Sequence, residues 1–461
     1  MTADPFDKDK LLSELQQKDK LIAELQQEVK MLKALVFELM ERLAKYENPK
    51  NSSNSSLPPS HDFARPLRTK TLREPSGKKP GGQPGHEGTT LQMTETPDQV
   101  VVHSPCYCTC CGGDISQIHA EFLERRQEVI LPEIKPIFVE HQVFQRTCTC
   151  GHTTTSEFPS GITPGISYGK NIETLAAYMN VRQYVPFHRM SEIFRHIFNL
   201  PISDGALVNA VNRVAQRAIP AYKLIHTRAE TSKVNGGDET GMKLNGDKGW
   251  FWTIQGKLFT YIIASLNRGG KTLEKNFPNG FAFSVLVHDC WRSYFKVAAL
   301  AHQICLAHLL RELNHIGECY KLKWAADLKE LFVEAIAFKK TLLPEDYRNS
   351  KTSKPITEFE ERLTKLLVEP INKEHSIAVS FQNRLVKHRQ HILTFLYYLE
   401  VPPDNNGSER AMRNIKVKQK ISGQFKSFDG AETFAILRSI IDTAIKNNLN
   451  PLYTLSKIND L

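Results

Sequence analysis

Six of the nine cysteines fall in two short runs, four within residues 106–111 and two at Cys148-Thr149-Cys150. Cys108 and Cys111 have C-x-x-C spacing and are followed by two glycines, and Cys150 is followed by one. Tight turns of this kind let paired thiolates converge on one tetrahedral zinc. Cys108, Cys111, Cys148 and Cys150 are the preferred ligand set, for a structural zinc with no open position. A second register drawing on Cys106 and Cys110 stays open. Cys290, Cys305 and Cys319 stand alone and read as core residues.

Three carboxylates carry a different chemistry. Asp238 lies in VNGGDETGMKL, Asp289 directly follows the apolar run FSVLVH, and Glu409 sits in PPDNNGSERAMRNIKVKQK. One Asp on a first strand, one at the end of a later strand and a Glu on a distant helix is how an RNase H-like fold assembles a metal site. Hard carboxylate oxygens suit Mg²⁺ or Mn²⁺, and two such ions ~4 Å apart can activate a hydroxyl and stabilise a leaving oxygen. Spacing alone says little, because the chain has 50 Asp and Glu residues that can equally be solvated or paired. The flanking charge says more: residues 401–426 hold six Lys or Arg against two acids. Arg410, Arg413, Lys416, Lys418 and Lys420 follow Glu409 as candidate phosphate contacts.

These residues need elements to hold them. Leu11, Leu15, Ile22, Leu25, Val29, Leu32, Val36, Leu39 and Leu43 recur in steps of three and four, broken only at Lys18. That pattern predicts a coiled coil over residues 1–48, a dimer seam, against the alternative of an amphipathic helix packed on its own domain. Residues 49–94 are rich in Ser, Pro and Gly, too poor in apolar side chains to offset the entropy of ordering. Six Lys or Arg against two acids at 61–80, Lys78 and Lys79 among them, make this a basic linker able to lie along phosphates. Residues 95–165, with β-type runs such as FVEHQVFQRTC, predict a small zinc-binding β domain. Residues 166–228 predict a helical domain in which RMSEIFRHIFNL and ALVNAVNRVAQRA flank a turn, with Ser203 as an N-cap. Such a pair fits a helix-turn-helix or an ordinary helical hairpin. Residues 229–450 read as an α/β core, with a hairpin at 250–265, a buried strand at 283–287 and a helical insertion at about 305–400. A C-terminal helical segment at 430–461 closes the chain.

Composition narrows the class. The 461 residues are 41% hydrophobic and carry a formal charge of +10, which favours a polyanionic partner. No apolar run approaches the ~18 residues of a membrane span, and MTADPFDKDK lacks a secretory h-region. The expectation is an intracellular protein, with clustered cysteines serving metal rather than disulfides.

Nearly the whole chain resembles the large transposase of the insertion-sequence sixty-six family. The likeness is carried by NPKNSSNSSLPPS, KKPGGQPGHEGTTL, the two cysteine runs, GGDETGMKLNGDKGWFWT, VLVHDCWRSY, CLAHLLREL, DNNGSERAMRNIKVKQKISGQFKS and IIDTAIKNNLNPLYTL. The resemblance implies a DDE transposase with an RNase H-like core, a zinc-binding domain and an N-terminal zipper. By position it implies a catalytic triad of Asp238, Asp289 and Glu409. Cys290-Trp291 stands where the family usually has Gly-Tyr, and Leu306 where it commonly has Trp. Neither departure touches a carboxylate. His308 and Arg311 receive no role, and a structural histidine is the favoured reading of His308. The implied partners are the element's ends, target DNA, further copies of the chain through the coiled coil, and small accessory proteins of the same element. The implied location is the cytoplasm, at the nucleoid. The competing class is a non-catalytic DNA-binding regulator using only the zipper, the zinc domain and the helical pair.

Overall fold

A computed structural model describes residues 8–47, 85, 91–163, 165–348 and 353–460. The chain divides into two compact units, one of residues 67–138 and one of residues 1–66 with 139–461. Lys78 and Lys79 and most of the expected linker lie outside the described residues.

In residues 91–138 the only β pairing is a single bridge, Tyr107 to Asp114. This part of the expected β domain is therefore not a sheet. Its β-branched runs stay extended and exposed, Val129, Ile130 and Leu131 among them. Strand propensity is a preference for a pleated, half-buried surface, and these side chains have no second layer to bury against. Of FVEHQVFQRTC only β1 (Gln145–Thr147) forms a strand, paired antiparallel with β2 (Thr153–Thr155) in the larger unit.

That unit begins with α1 (Lys8–Glu47), a 40-residue helix without Gly or Pro. Its heptad side chains are about half exposed, Leu15 at 54%, Leu25 at 51% and Leu39 at 53%. Four helices precede the main sheet: α2 (Lys170–Ala177), which runs on as a π turn, α3 (Phe187–Phe198), α4 (Asp204–Arg217) and α5 (Ile219–Thr231). Asn199 ends α3 in a left-handed cap, and Ser203 Oγ starts α4 by accepting the Ala206 N–H at 3.2 Å.

The sheet comprises β3 (Val234–Leu244), β4 (Asp247–Gln255) and β5 (Thr260–Ser265), followed after α6 (Lys271–Asn276) by β6 (Phe281–His288) and β7 (Ala299–Ile304). Its order is β5-β4-β3-β6-β7. The first three strands are antiparallel, and β6 and β7 add in parallel. Alternation along β6 divides the interior. Leu286 joins one core with α2–α5, while Val285 and Val287 join another with the helices after β7. These are α7 (Leu306–Tyr320), α8 (Lys323–Thr341), α9 (Pro344–Arg348), α10 (Ser353–Val368) and α11 (Ser376–Lys387). The chain leaves the sheet at Cys305 and returns at Asn405, whose N–H donates to Cys305 Sγ at 3.2 Å and closes the neck of the insertion. Then come α12 (Asn406–Ser422), α13 (Phe428–Lys446) and α14 (Pro451–Asp460).

The helices at 166–228 have no core of their own. Phe194, Leu207 and Val214 share one cluster with Tyr261 of β5 and with Phe434 and Ile441 of α13. Arg213 and Arg217 of α4 are both spent on the buried Glu173 of α2, each at 2.6 Å. The buried face of α4 carries Leu207, Ala210, Val211, Val214 and Ala215. This pair is part of the main core rather than a separate helix-turn-helix domain.

Candidate active site

The site starts at two glycines. A Cβ on Gly236 would lie 2.5 Å from Asn405 Oδ1 and 2.7 Å from Ser408 Oγ, and one on Gly237 would lie 2.8 Å from the Tyr294 ring. Their bareness lets the start of α12 press on one face of β3 and Tyr294 on the other. Asn405 Nδ2 then donates to the Gly237 carbonyl at 2.7 Å, and Ser408 Oγ donates to Asn405 Oδ1 at 2.7 Å. The first turn of α12, which bears Glu409, is thereby pinned to the strand bearing Asp238.

Period-two alternation tells the two acids of DET apart. Asp238 is on the side of Gly236 and therefore faces α12. Glu239 is on the side of Gly237, where it accepts from Tyr294 at 2.8 Å and from Arg268 at 3.1 Å. The Arg268 guanidinium is itself stacked on the Trp291 and Trp250 rings, at 4.1 and 4.9 Å. Glu239 is thus a held ion-pair partner, and Asp238 is left free of any cation at hydrogen-bond distance.

The parallel pairing sets the second acid. Gly236 is opposite Val287, and Asp238 and Asp289 each lie two residues further along neighbouring strands. Both carboxylates therefore emerge at the same end of the sheet, roughly one strand spacing, ~4.8 Å, apart in the backbone. Asp289 Oδ1 accepts the Trp291 N–H at 2.9 Å, which fixes its rotamer. Its carboxyl is pushed up by burial and by Glu239, partly offset by the Trp291 N–H, His308 and Arg268. Asp238 is pushed well above the usual carboxylate range, first by burial and then by the charges of Glu239, Asp289 and Glu409. Negative charge is crowded here.

Glu409 meets the insertion. Arg311 approaches its Oε2 at 3.6 Å and His308 its Oε1 at 3.8 Å, both from α7. Glu409 Oε1 and His308 Nδ1 are buried without hydrogen-bond partners. His308 is held toward its neutral form, chiefly by burial and then by Arg311. The spacing of three between His308 and Arg311 puts both on one helix face, a signal that their sequence carried but did not aim.

As they stand, no three His, Cys, Asp or Glu side chains among the described residues are close enough around one point to grip a metal. The donor chemistry nevertheless fits a divalent cation. Three carboxylates converge on one sheet end, two with raised affinity for protons, and the third has an unpartnered buried oxygen. Asp238, Asp289 and Glu409 are the residues that would hold a dication, and its charge would offset that crowding.

The basic stretch of α12 divides. Arg410, Arg413 and Lys420 are exposed. Lys416 is exposed along its stem while its Nζ donates to the Gly241 carbonyl of β3 at 3.3 Å. Lys418 corrects the expectation: it is buried, its Nζ 3.5 Å from the Asn180 carbonyl, and so faces the core rather than a phosphate. A helix turns about 100° per residue, so residues two apart, such as Lys416 and Lys418, point to different sides.

Each cysteine knuckle closes on itself. The Gly112 N–H donates to the Cys108 carbonyl at 2.9 Å with Gly112 at φ +70°, and the Gly151 N–H donates to the Cys148 carbonyl at 2.9 Å with Gly151 at φ +85°. The Cys108 thiol is lowered by the N–H groups of Cys111 and Cys110, and the Cys148 thiol by that of Cys150. Each turn thus shifts its thiol toward the thiolate form that a metal takes.

Against known proteins, a family model described as Transposase IS66 family matches residues 165–433, more than half of the chain. The chain belongs to this family. The match begins just before α2 and ends within α13, so it spans α2 to α12, the insertion and all three carboxylates. For a member of a transposase family, DNA is the implied partner. A second model, of a family of unknown function, matches residues 11–92. An uncharacterized protein, y4hP of Sinorhizobium fredii, is 22% identical over 442 residues, covering 86% of this chain and 76% of its own length. No helix among the described residues is long and apolar enough to cross a membrane.

Proposed function

We propose that this IS66-family protein is a DDE transposase that binds the ends of its insertion sequence, hydrolyses the phosphodiester there and joins the freed 3′-hydroxyl to target DNA. The register carries the reading: Asp238 and Asp289 stand two residues past the parallel Gly236–Val287 pair, with Glu409 pinned beside them by Asn405. Three antiparallel strands extended by two parallel ones agree with an RNase H-like core. Asp238, Asp289 and Glu409 would hold the cations. Mg²⁺ or Mn²⁺ bound there supplies an acidified water or hydroxyl and charge neutralisation at the leaving oxygen. Arg311 and His308 orient the Glu409 carboxylate from the insertion side. Arg410 and Arg413, exposed one and four residues on, hold backbone phosphates without reading sequence.

Glu409→Gln keeps the shape and removes one charge, so it abolishes Mg²⁺-dependent cleavage of DNA bearing the element's ends while binding to them persists. Exposed Glu432→Gln on α13 is the control and cuts normally. Wild-type rates from Glu409→Gln would reopen the choice of third carboxylate, and binding without cleavage by the unaltered chain would favour the regulator.

We also propose structural zinc on the cysteine knuckles, Cys108 with Cys111 and Cys148 with Cys150, on the strength of the thiolate-favouring turns. Metal analysis of purified protein is expected to find about one zinc per chain, lost in Cys148→Ser. Unchanged zinc in that variant would move the site to the register of Cys106 and Cys110.

A further inference from the structure

We propose that the pocket beside Asp289 seats a single unstacked nucleobase of the DNA strand being cut, an inference that rests on the transposase reading. The pocket has a volume of about 190 Å³, and Asp289 forms part of its wall. That is room for about six waters, enough for one planar ring system and too little for a stacked pair. The buried side chains of Ile304 and Leu309 give it an apolar lining, and Trp291 adds an aromatic one.

Polar groups lining this pocket are unused. Trp291 Nε1, Arg384 Nε and His308 Nδ1 are all buried without hydrogen-bond partners. Arg384 keeps its place through Nη2, which donates to Glu312 at 2.7 Å, and Trp291 keeps its place under the Arg268 guanidinium. Donors held still against an apolar wall match the edge and faces of a base, whose ring nitrogens and carbonyl oxygens accept hydrogen bonds. Glu312, also in the wall, can take an exocyclic amino group.

Other ligands fit less well. A phosphate would be repelled by Asp289 and Glu312 in the same wall. A soft metal would find only the Cys290 thiol and the His308 ring as ligands in this wall. A base is neutral, and one extruded here comes from a nucleotide next to the phosphate that Asp289 serves. Extrusion costs a few kcal/mol and is offset by these contacts.

The test uses full-length protein and duplexes of the element's end carrying 2-aminopurine in turn at each nucleotide flanking the cleaved phosphate. With Ca²⁺ present to allow binding without cutting, one position is expected to brighten several-fold. Arg384→Met removes the guanidinium, its Nε donor and its ion pair with Glu312 together, and Trp291→Phe removes the indole donor while keeping an aromatic face. They are expected to lose the brightening, and each to cut about tenfold more slowly, the worth of one hydrogen bond. If no position brightens while Mg²⁺ still supports cleavage of the same duplexes, the pocket is not a base seat. If both variants brighten like wild type, it is equally overturned. If the unaltered chain neither brightens nor cuts, the transposase reading fails, and the base seat with it.

Discussion

Lys416 and Lys418 are two residues apart on α12, yet one is exposed and the other buried. Burial depresses Lys418 to about 8, from an ordinary value of 10.5. Between these two values the unfolded chain binds a proton that the folded chain does not, so stability from this group rises with pH across that window. At neutral pH the folded protein carries a buried charge at a cost. Lys418→Met is therefore expected to stabilise by on the order of 1–3 kcal/mol at pH 7.5, with the gain shrinking by pH 10. Urea denaturation at the two pH values checks it. Destabilisation at pH 7.5 would mean that the bond to the Asn180 carbonyl outweighs the desolvation. The same logic of side and burial separates Asp238 from Glu239, which composition cannot do.

At the scale of elements, two features have different dependence on the rest of the chain. The first turn of α12 is placed by β3, through Gly236, Asn405 and Ser408, and cannot find its position alone. In contrast, α1 shows its apolar series about half exposed along its length, Ile22 at 51% and Leu32 at 58%. We propose that this stripe on a 40-residue helix pairs with a second copy of itself. Residues 8–46 are expected to sediment as a helical dimer at tens of micromolar, and Lys18→Leu is expected to tighten the association by filling the gap in the seam. A helical monomer would assign this stripe to another partner.

For the whole molecule, the continuous cluster from α2 to α14 has the largest consequence. Tyr222 of α5 stacks on Tyr261 of β5 at 4.6 Å, and His226 stacks on Phe277 at 4.8 Å. Val181, Met190, Phe194, Leu207, Val211, Val214 and Ile225 all bury in this cluster. At roughly 1.5–3 kcal/mol each, their combined loss is as large as the about 5–15 kcal/mol margin typical of a folded protein. A fragment of residues 232–461 is therefore expected to lack a cooperative thermal transition, while residues 165–461 melt as one unit. A cooperative transition in the shorter fragment, followed by calorimetry, would show that the sheet and insertion fold without these helices.

What could be read without coordinates was local. Heptad spacing, the Ser203 cap, the hairpin now seen as β4 and β5 and the strand now seen within β6 all follow from short-range periodicity and turn chemistry, whereas the three carboxylates are singled out only by the strings that resemble one family. The β-type runs of residues 95–138 show where that reading fails, because a strand exists only with a partner strand to bond. Tertiary structure alone decided that α2–α5 share the sheet's core, that Lys418 points inward and Arg268 is held between two tryptophans, and that His308 and Arg311 reach Glu409. It also decided which acid of DET faces α12. Most of these outcomes depend on which residues far apart in sequence are brought into one volume, as Asn405 is to Cys305, 100 positions away. Sequence periodicity says which face of an element is apolar, and the packing of the whole chain says what that face meets.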